Sequence, residues 1–122
     1  MANFEYLDEN SRETVFDLMD GDKELIVDLV DTLIDSNPDL IDQLNKALET
    51  GDAKGVRDSA HTLKSSNLQL GATDFADMCQ KMEYLGKSNQ LNEAATLFPS
   101  LKEEYGEVIS ALESWKDHVL EG

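Results

Sequence analysis

The sequence predicts an all-α fold, an antiparallel four-helix bundle with an additional short N-terminal helix. Three observations carry that prediction. Apolar residues recur at helical spacing along nearly the whole chain. No stretch alternates β-branched and polar residues as a half-buried strand would. The gaps between apolar stripes are short and rich in glycine and aspartate, the residues of helix stops and caps.

The elements follow in chain order. A short helix is expected over about residues 9–19, with Val15, Phe16 and Met19 apolar. Asp20-Gly21-Asp22 stops it and caps the next. The second helix starts near Asp22 and carries Leu25, Ile26, Leu29, Val30, Leu33 and Ile34, then Ile41, Leu44 and Leu48. Pro38 falls inside this pattern and predicts a kink or short break. Thr50-Gly51-Asp52 is a stop and restart, so a third helix is expected from about Asp52 to Leu70, ended by Gly71. Thr73 or Asp74 is the expected cap of a fourth helix with Phe75, Met78, Cys79, Met82 and Leu85 on one face, closed by Gly86. Residues 90–98 read as a lead-in turn or helix, and Pro99 as a kink or a start. The last helix has a four-three stripe of Leu101, Tyr105, Val108, Leu112, Trp115 and Val119, suited to bundle packing.

At 122 residues the chain is expected to form one domain over residues 1–122, with room for one modest core. The formal net charge of −16 argues against nucleic acid as a partner, because duplex binding needs clustered cations. No apolar run approaches a bilayer span, and the N-terminus lacks the basic and apolar regions of a signal peptide, so the expectation is a cytoplasmic protein without membrane contact. A single cysteine, Cys79, excludes an internal disulfide and a cysteine-based zinc site. Residues 54–65 depart from the acidic average: Lys54, Arg57 and Lys64 face one acid, Asp58, for a local charge of +2. Such a window is either chance on a solvated helix face or a place that tolerates added negative charge.

His61 lies in that window. Val56, Leu63 and Leu70 repeat every seven residues and stay within about 40° of one another on a helical wheel. They mark the buried face, flanked by Ser59 and Ser66. His61 points roughly 160° away from Leu63, with Arg57, Lys64, Ser65 and Leu68 around it. A core histidine would share the apolar stripe, so His61 is a surface residue, functional or not. His118, near the end of the last helix, fits a structural or incidental role.

A neutral imidazole is a competent nucleophile near pH 7. Phosphoryl transfer needs positioning and charge stabilisation, which a lysine one turn away supplies. Arg57, one turn before, is placed to help or to steer. Competing chemistries find less support. No Gly-x-x-x-x-Gly-Lys-Ser/Thr loop and no Glu-x-x-His pair occur. Asp58 and His61 have the spacing of a metal pair, but no second pair completes a site. A bundle helix offers no evident oxyanion hole for a Ser/His/Asp triad.

Residues 60–72, Ala-His-Thr-Leu-Lys-Ser-Ser-Asn-Leu-Gln-Leu-Gly-Ala, resemble the signature of histidine phosphotransfer domains, usually Ala-His-x-Leu-Lys-Gly-Ser-Ser followed by Leu-Gly-Ala. Met78 to Lys87 looks like that family's next helix, and Gly21-Asp22-Lys23-Glu24-Leu25, Pro38 and Tyr105-x-x-Val108 also fit. The resemblance implies a four-helix bundle without an ATP site or cofactor of its own. It implies that His61 takes a phosphoryl group from the aspartate of one response-regulator receiver domain, possessed of its own magnesium, and passes it to another, in some pathways within a hybrid sensor kinase. Lys64 then stabilises the phosphoryl group, and Ser65 and Ser66 fall in the small-residue positions. Ser65 stands where glycine is usual, and either narrows the partner's approach or adds a hydrogen bond. Asn67 and Gln69 either tune the site or face solvent. Glu83 and Lys87 border it, but a carboxylate would repel a phosphoryl group, so Glu83 is left outside the expected site. Arg57 and Leu68 are the expected partner-binding residues, with Val15, Phe16 and Met19 divided between docking and core.

Two other readings stay open at this stage. An acidic helical adaptor or inhibitor would need no phosphoryl chemistry and would not need His61. The dimerisation segment of a sensor kinase would follow the histidine with an acid and a proline, which Thr62 to Gly71 lack, and would be an obligate dimer where a phosphotransfer domain is a monomer.

Overall fold

The computed structural model describes residues 4–121. Among them a short 3-10 turn, Phe4–Tyr6, precedes five α-helices, and there is no strand. The helices are α1 (Glu9–Leu18), α2 (Lys23–Thr50), α3 (Ala53–Leu68), α4 (Thr73–Lys87) and α5 (Leu91–Glu121). Helix α3 packs between α2 and α4, and both of those pack on α5. Short connections make each pair of sequential neighbours antiparallel, so α2 to α5 form the four-helix bundle and α1 is the addition.

Aspartates start three helices. Asp8 accepts from the Ser11 amide at 3.0 Å, Asp22 from Glu24 and Leu25 at 3.0 and 3.3 Å, and Asp52 from Gly55 at 3.0 Å. Each satisfies N–H groups that a helix cannot pair internally. The 3-10 turn is held to α5: the Phe4 ring stacks on His118 at 4.4 Å, Arg12 lies over Phe4, and the Tyr6 hydroxyl donates to Glu104. His118 is thus a packing residue at that end of the bundle.

Five features differ from expectation. Helix α2 runs through Pro38 and α5 through Pro99, with residues 91–98 part of α5. Each proline withholds an N–H from the carbonyl four residues before it, a cost of about 3 kcal/mol. The buried stripe keeps its register across both: Val30, Leu33, Asn37, Ile41 and Leu44 in α2, Ala94, Phe98, Leu101 and Val108 in α5. Burying each large apolar side chain stabilises by about 1.5–3 kcal/mol, so the stripe outweighs the proline. Helix α3 ends at Leu68, two residues early, in a turn closed by Gly71 N–H to the Leu68 carbonyl and Ala72 N–H to the Asn67 carbonyl. Gly71 has φ +83°, and a Cβ there would sit 2.6 Å from the Asp8 nitrogen, which donates to the Gly71 carbonyl. The chain reverses so tightly that α4 resumes at Thr73. Neither Thr73 nor Asp74 caps it: buried Ala72 is the cap residue, without a side-chain bond, and Asp74 lies inside the first turn, where its charge suits the helix dipole. Nor does Gly86 close α4, which continues to Lys87.

The core is apolar, and among the described residues three polar side chains are buried: Asn37, Ser59 and Asn67. Ser59 donates to the Gly55 carbonyl of its own helix. Asn37 and Asn67 exchange a reciprocal pair of amide bonds, 3.0 Å each way, between α2 and α3. Asn67 also donates to the Leu63 carbonyl at 2.8 Å. Asn67 therefore does not face solvent.

Such a pair is worth little net but is costly to break halfway. Asn67→Leu alone should lower the unfolding free energy by about 2 kcal/mol, because Asn37 is left buried without its partner. The double replacement Asn37→Leu with Asn67→Leu should recover most of that loss. Urea denaturation measures both, and a double variant less stable than the single one would contradict this account.

Candidate functional site

Helix α3 buries Val56, Ser59, Ala60, Leu63 and Asn67 and turns its other side outward. His61 follows the fully buried Ala60 and is itself 58% exposed at the side chain. The wheel argument is met in space.

The ring is not free on both sides. His61 Nδ1 lies 3.0 Å from Oε2 of Glu83 on α4. The other oxygen of the same carboxylate accepts from Lys64 Nζ at 2.8 Å. One carboxylate on α4 thus bridges a histidine and a lysine one turn apart on α3. The hydrogen bond from Lys64 is the largest influence holding the Glu83 carboxyl below the ordinary glutamate range; burial opposes it, and the His61 bond adds to it. An ionised carboxylate only accepts, so Nδ1 is the donor to Glu83, and in a neutral ring the lone pair then belongs to Nε2. The side chains of Lys64 and Glu83 are only 25% and 23% exposed, which shields the bridge more than a surface ion pair.

The other expected residues are placed as follows. Arg57 Nε lies 3.2 Å from Asp58, which Lys54 also reaches at 3.7 Å, so the two remaining cations of the basic window face Asp58 rather than His61. Among the described residues no group of three or more histidine, cysteine, aspartate or glutamate side chains is gathered as a metal ion would need. Ser65 is exposed one turn after His61 and contributes no bond to the bridge. Leu68 is 48% exposed on the same helix. In and just after α1, Val15 is core, Phe16 is exposed and Met19, the residue that follows the helix, packs against the core. Cys79, one turn before Glu83, is buried and its thiol is pushed up to about 12 by burial, with Lys64 pulling the other way. It is protonated at neutral pH and does not compete as a nucleophile.

The model of the Hpt domain family matches residues 28–114, most of the bundle and all of this site. The chain belongs to the Hpt domain family. This Hpt domain is also similar to the phosphorelay intermediate protein rdeA of Dictyostelium discoideum, at 30% identity over 105 residues. That match covers 86% of this chain and 41% of the relative, so the chain spans about two-fifths of the curated protein it matches. The crystal structure of histidine-containing phosphotransfer protein B (HptB) from Pseudomonas aeruginosa PAO1 has the same fold, with a TM-score of 0.85 at 23% identity over 93% of this chain and 96% of that one.

Glu83 is the residue of this Hpt domain that sequence reasoning set aside. Repulsion of a phosphoryl group was the ground for excluding it, and the geometry corrects that: its charge is taken up by His61 and Lys64. The signal was present in the fourth helix, where Cys79, Met82 and Gly86 mark the buried face and Glu83 adjoins it.

Because Lys64 is the chief cause, Lys64→Met should raise the Glu83 titration toward the ordinary glutamate range, as read by carboxyl NMR. A carboxyl held down in the folded state stabilises the fold above its unfolded value of about 4.3, and that contribution disappears as pH falls through the folded value. An unmoved Glu83 titration in the variant would show that the Lys64 contact is not what holds it.

Proposed function

We propose that this Hpt domain is a phosphocarrier that accepts a phosphoryl group on His61 from a receiver-domain aspartate and passes it to another receiver. The observation that carries the reading is the His61 ring itself: exposed and held at Nδ1 by Glu83, which leaves Nε2 as the nitrogen for chemistry, with a lysine one turn away. Membership of the Hpt domain family and the likeness to a phosphorelay intermediate support it.

The chemistry follows from those atoms. The Nε2 lone pair attacks phosphorus, and the bond from phosphorus to the aspartyl oxygen breaks, leaving the partner's carboxylate with the electron pair. The ring gains positive charge as the N–P bond forms, and Glu83 at Nδ1 stabilises that charge. Lys64 moves from Glu83 to a phosphoryl oxygen, where negative charge sits on the equatorial atoms. Return transfer reverses each step. Magnesium belongs to the receiver in this scheme, and the Hpt domain brings neither a cofactor nor an ATP site. Ser65 donates to a phosphoryl oxygen, while Arg57 and Leu68 meet the receiver at the edge of the site. The 122 residues act as one monomeric domain in the cytoplasm. Among the described residues no helix is long and apolar enough to cross a membrane.

The decisive measurement is transfer from a phosphorylated receiver to the wild type and to His61→Gln. Acid-labile label on the wild type and none on the variant is the expected result. Lys64→Ala should retain labelling at a rate lower by about a hundredfold to a thousandfold, the usual scale for one lost donor at a transition state. Equal labelling of wild type and His61→Gln would move the site elsewhere. A folded protein that takes no label from any receiver would favour the acidic adaptor instead.

A further inference from the structure

Gly86 lies inside α4, and its backbone conformation does not call for glycine, since φ is positive only at Gly21, Gly51 and Gly71 among the described glycines. Space calls for it. A Cβ at Gly86 would lie 2.8 Å from the Arg57 amide nitrogen, 3.0 Å from the Ala53 carbonyl oxygen and 3.0 Å from a Val56 methyl. Two of these three atoms are backbone of α3, and backbone inside a packed helix cannot swing aside as a side chain can. Helices α3 and α4 therefore meet almost backbone to backbone at this point.

The meeting point lies next to the site. Gly86 is about one turn beyond Glu83, and Arg57 is about one turn before His61. In antiparallel helices this places the contact directly beside the Glu83 bridge. We propose that Gly86 is a positioning residue of the phosphotransfer site, setting the α3–α4 spacing at which Glu83 reaches both His61 and Lys64. The inference deepens the phosphocarrier reading and rests on it for the word phosphotransfer; the spacing itself does not depend on it.

The tolerance is narrow. Glu83 makes both bonds at once, at 3.0 and 2.8 Å, and a hydrogen bond is largely lost by about 3.6 Å. A methyl group at Gly86 needs roughly half an ångström or more of extra room to reach ordinary contact distance. The helices must part by about that much, or α4 must rotate, and either displaces the carboxylate. The same geometry forbids the reverse adjustment: helices already in backbone contact cannot close up to follow a shorter side chain.

The test compares Gly86→Ala with Gly106→Ala, the same change in α5 where an added Cβ meets nothing within 4 Å. The readouts are the ¹⁵N shifts of His61, which report its tautomer, the Glu83 carboxyl titration, and the rate of phosphoryl acceptance from a phosphorylated receiver. Gly86→Ala should reduce the Nδ1–H tautomer, raise the Glu83 titration and slow acceptance on the order of tenfold or more. Gly106→Ala should change none of the three. Wild-type ¹⁵N shifts in a folded Gly86→Ala protein would overturn the proposal. Should Gly86→Ala not fold, Glu83→Asp takes its place, one methylene shorter at a partly exposed position. It should lose the bridge as fully as Glu83→Ala, and retention of the wild-type ¹⁵N pattern would overturn the proposal equally. The NMR readouts need no receiver. A wild type that never accepts a phosphoryl group therefore defeats the phosphocarrier reading and leaves the spacing result to stand or fall on its own.

Discussion

Helix α3 is buried on one side and open to water on the other, and the bundle is built around that asymmetry. Its sixteen residues put Val56, Ala60 and Leu63 fully inside, each with no exposed surface. Helices α2 and α4 flank it, and α5 closes the ring behind. Ala60 and His61 are adjacent in sequence and opposite in environment, because about 100° of helical rotation separates them. A histidine held on a rigid mid-helix position has little freedom beyond its own side-chain torsions. Rigid elements hold reactive groups more accurately than loops do.

Much of this was legible in the residues. Periodicity alone gave the helix count, and one angular argument placed His61 on the open face of α3. Aspartate caps at Asp22 and Asp52 appear where the turns were expected. The prolines do not break the helices, because the stripe of buried contacts on either side outweighs the local backbone cost. Gly86 was taken for a helix stop, although its role is set by α3, an element some thirty residues away in sequence. Glu83 was excluded by a pairwise argument about charge that lacked the two donors opposite it. Asn67 raises the same issue: a polar residue near the buried face could not be matched to Asn37 until α2 and α3 lay side by side. In each case the missing information was a contact between elements, which no local pattern encodes.

The buried amide pair acts on specificity more than on stability. Apolar stripes can slide or rotate past one another at modest cost, since methyl groups accept many neighbours. Two amides that each donate to and accept from the other accept few. A shift of α2 against α3 by one turn would leave both stranded in a core that is otherwise apolar at this level. The pair thereby holds α3 in one rotation, while close contact at Gly86 holds α4 in one spacing.

The chain is strongly acidic, with a net charge of −16, yet the cations at the exposed face of α3 are already matched: Lys54 and Arg57 to Asp58, and Lys64 to Glu83, which also meets the His61 ring. The resting site thus contains its own stand-in anion. A free phosphate, a nucleotide or a metabolite carboxylate drifting past meets an ammonium that is already engaged, within a field that repels it. In the proposed transfer a phosphoryl group bonded to the ring is in a different situation, because the bond holds it close to Lys64, where it competes with Glu83. On the proposed reading, such a surface histidine favours a donor that docks and reacts over an ion that arrives from solution.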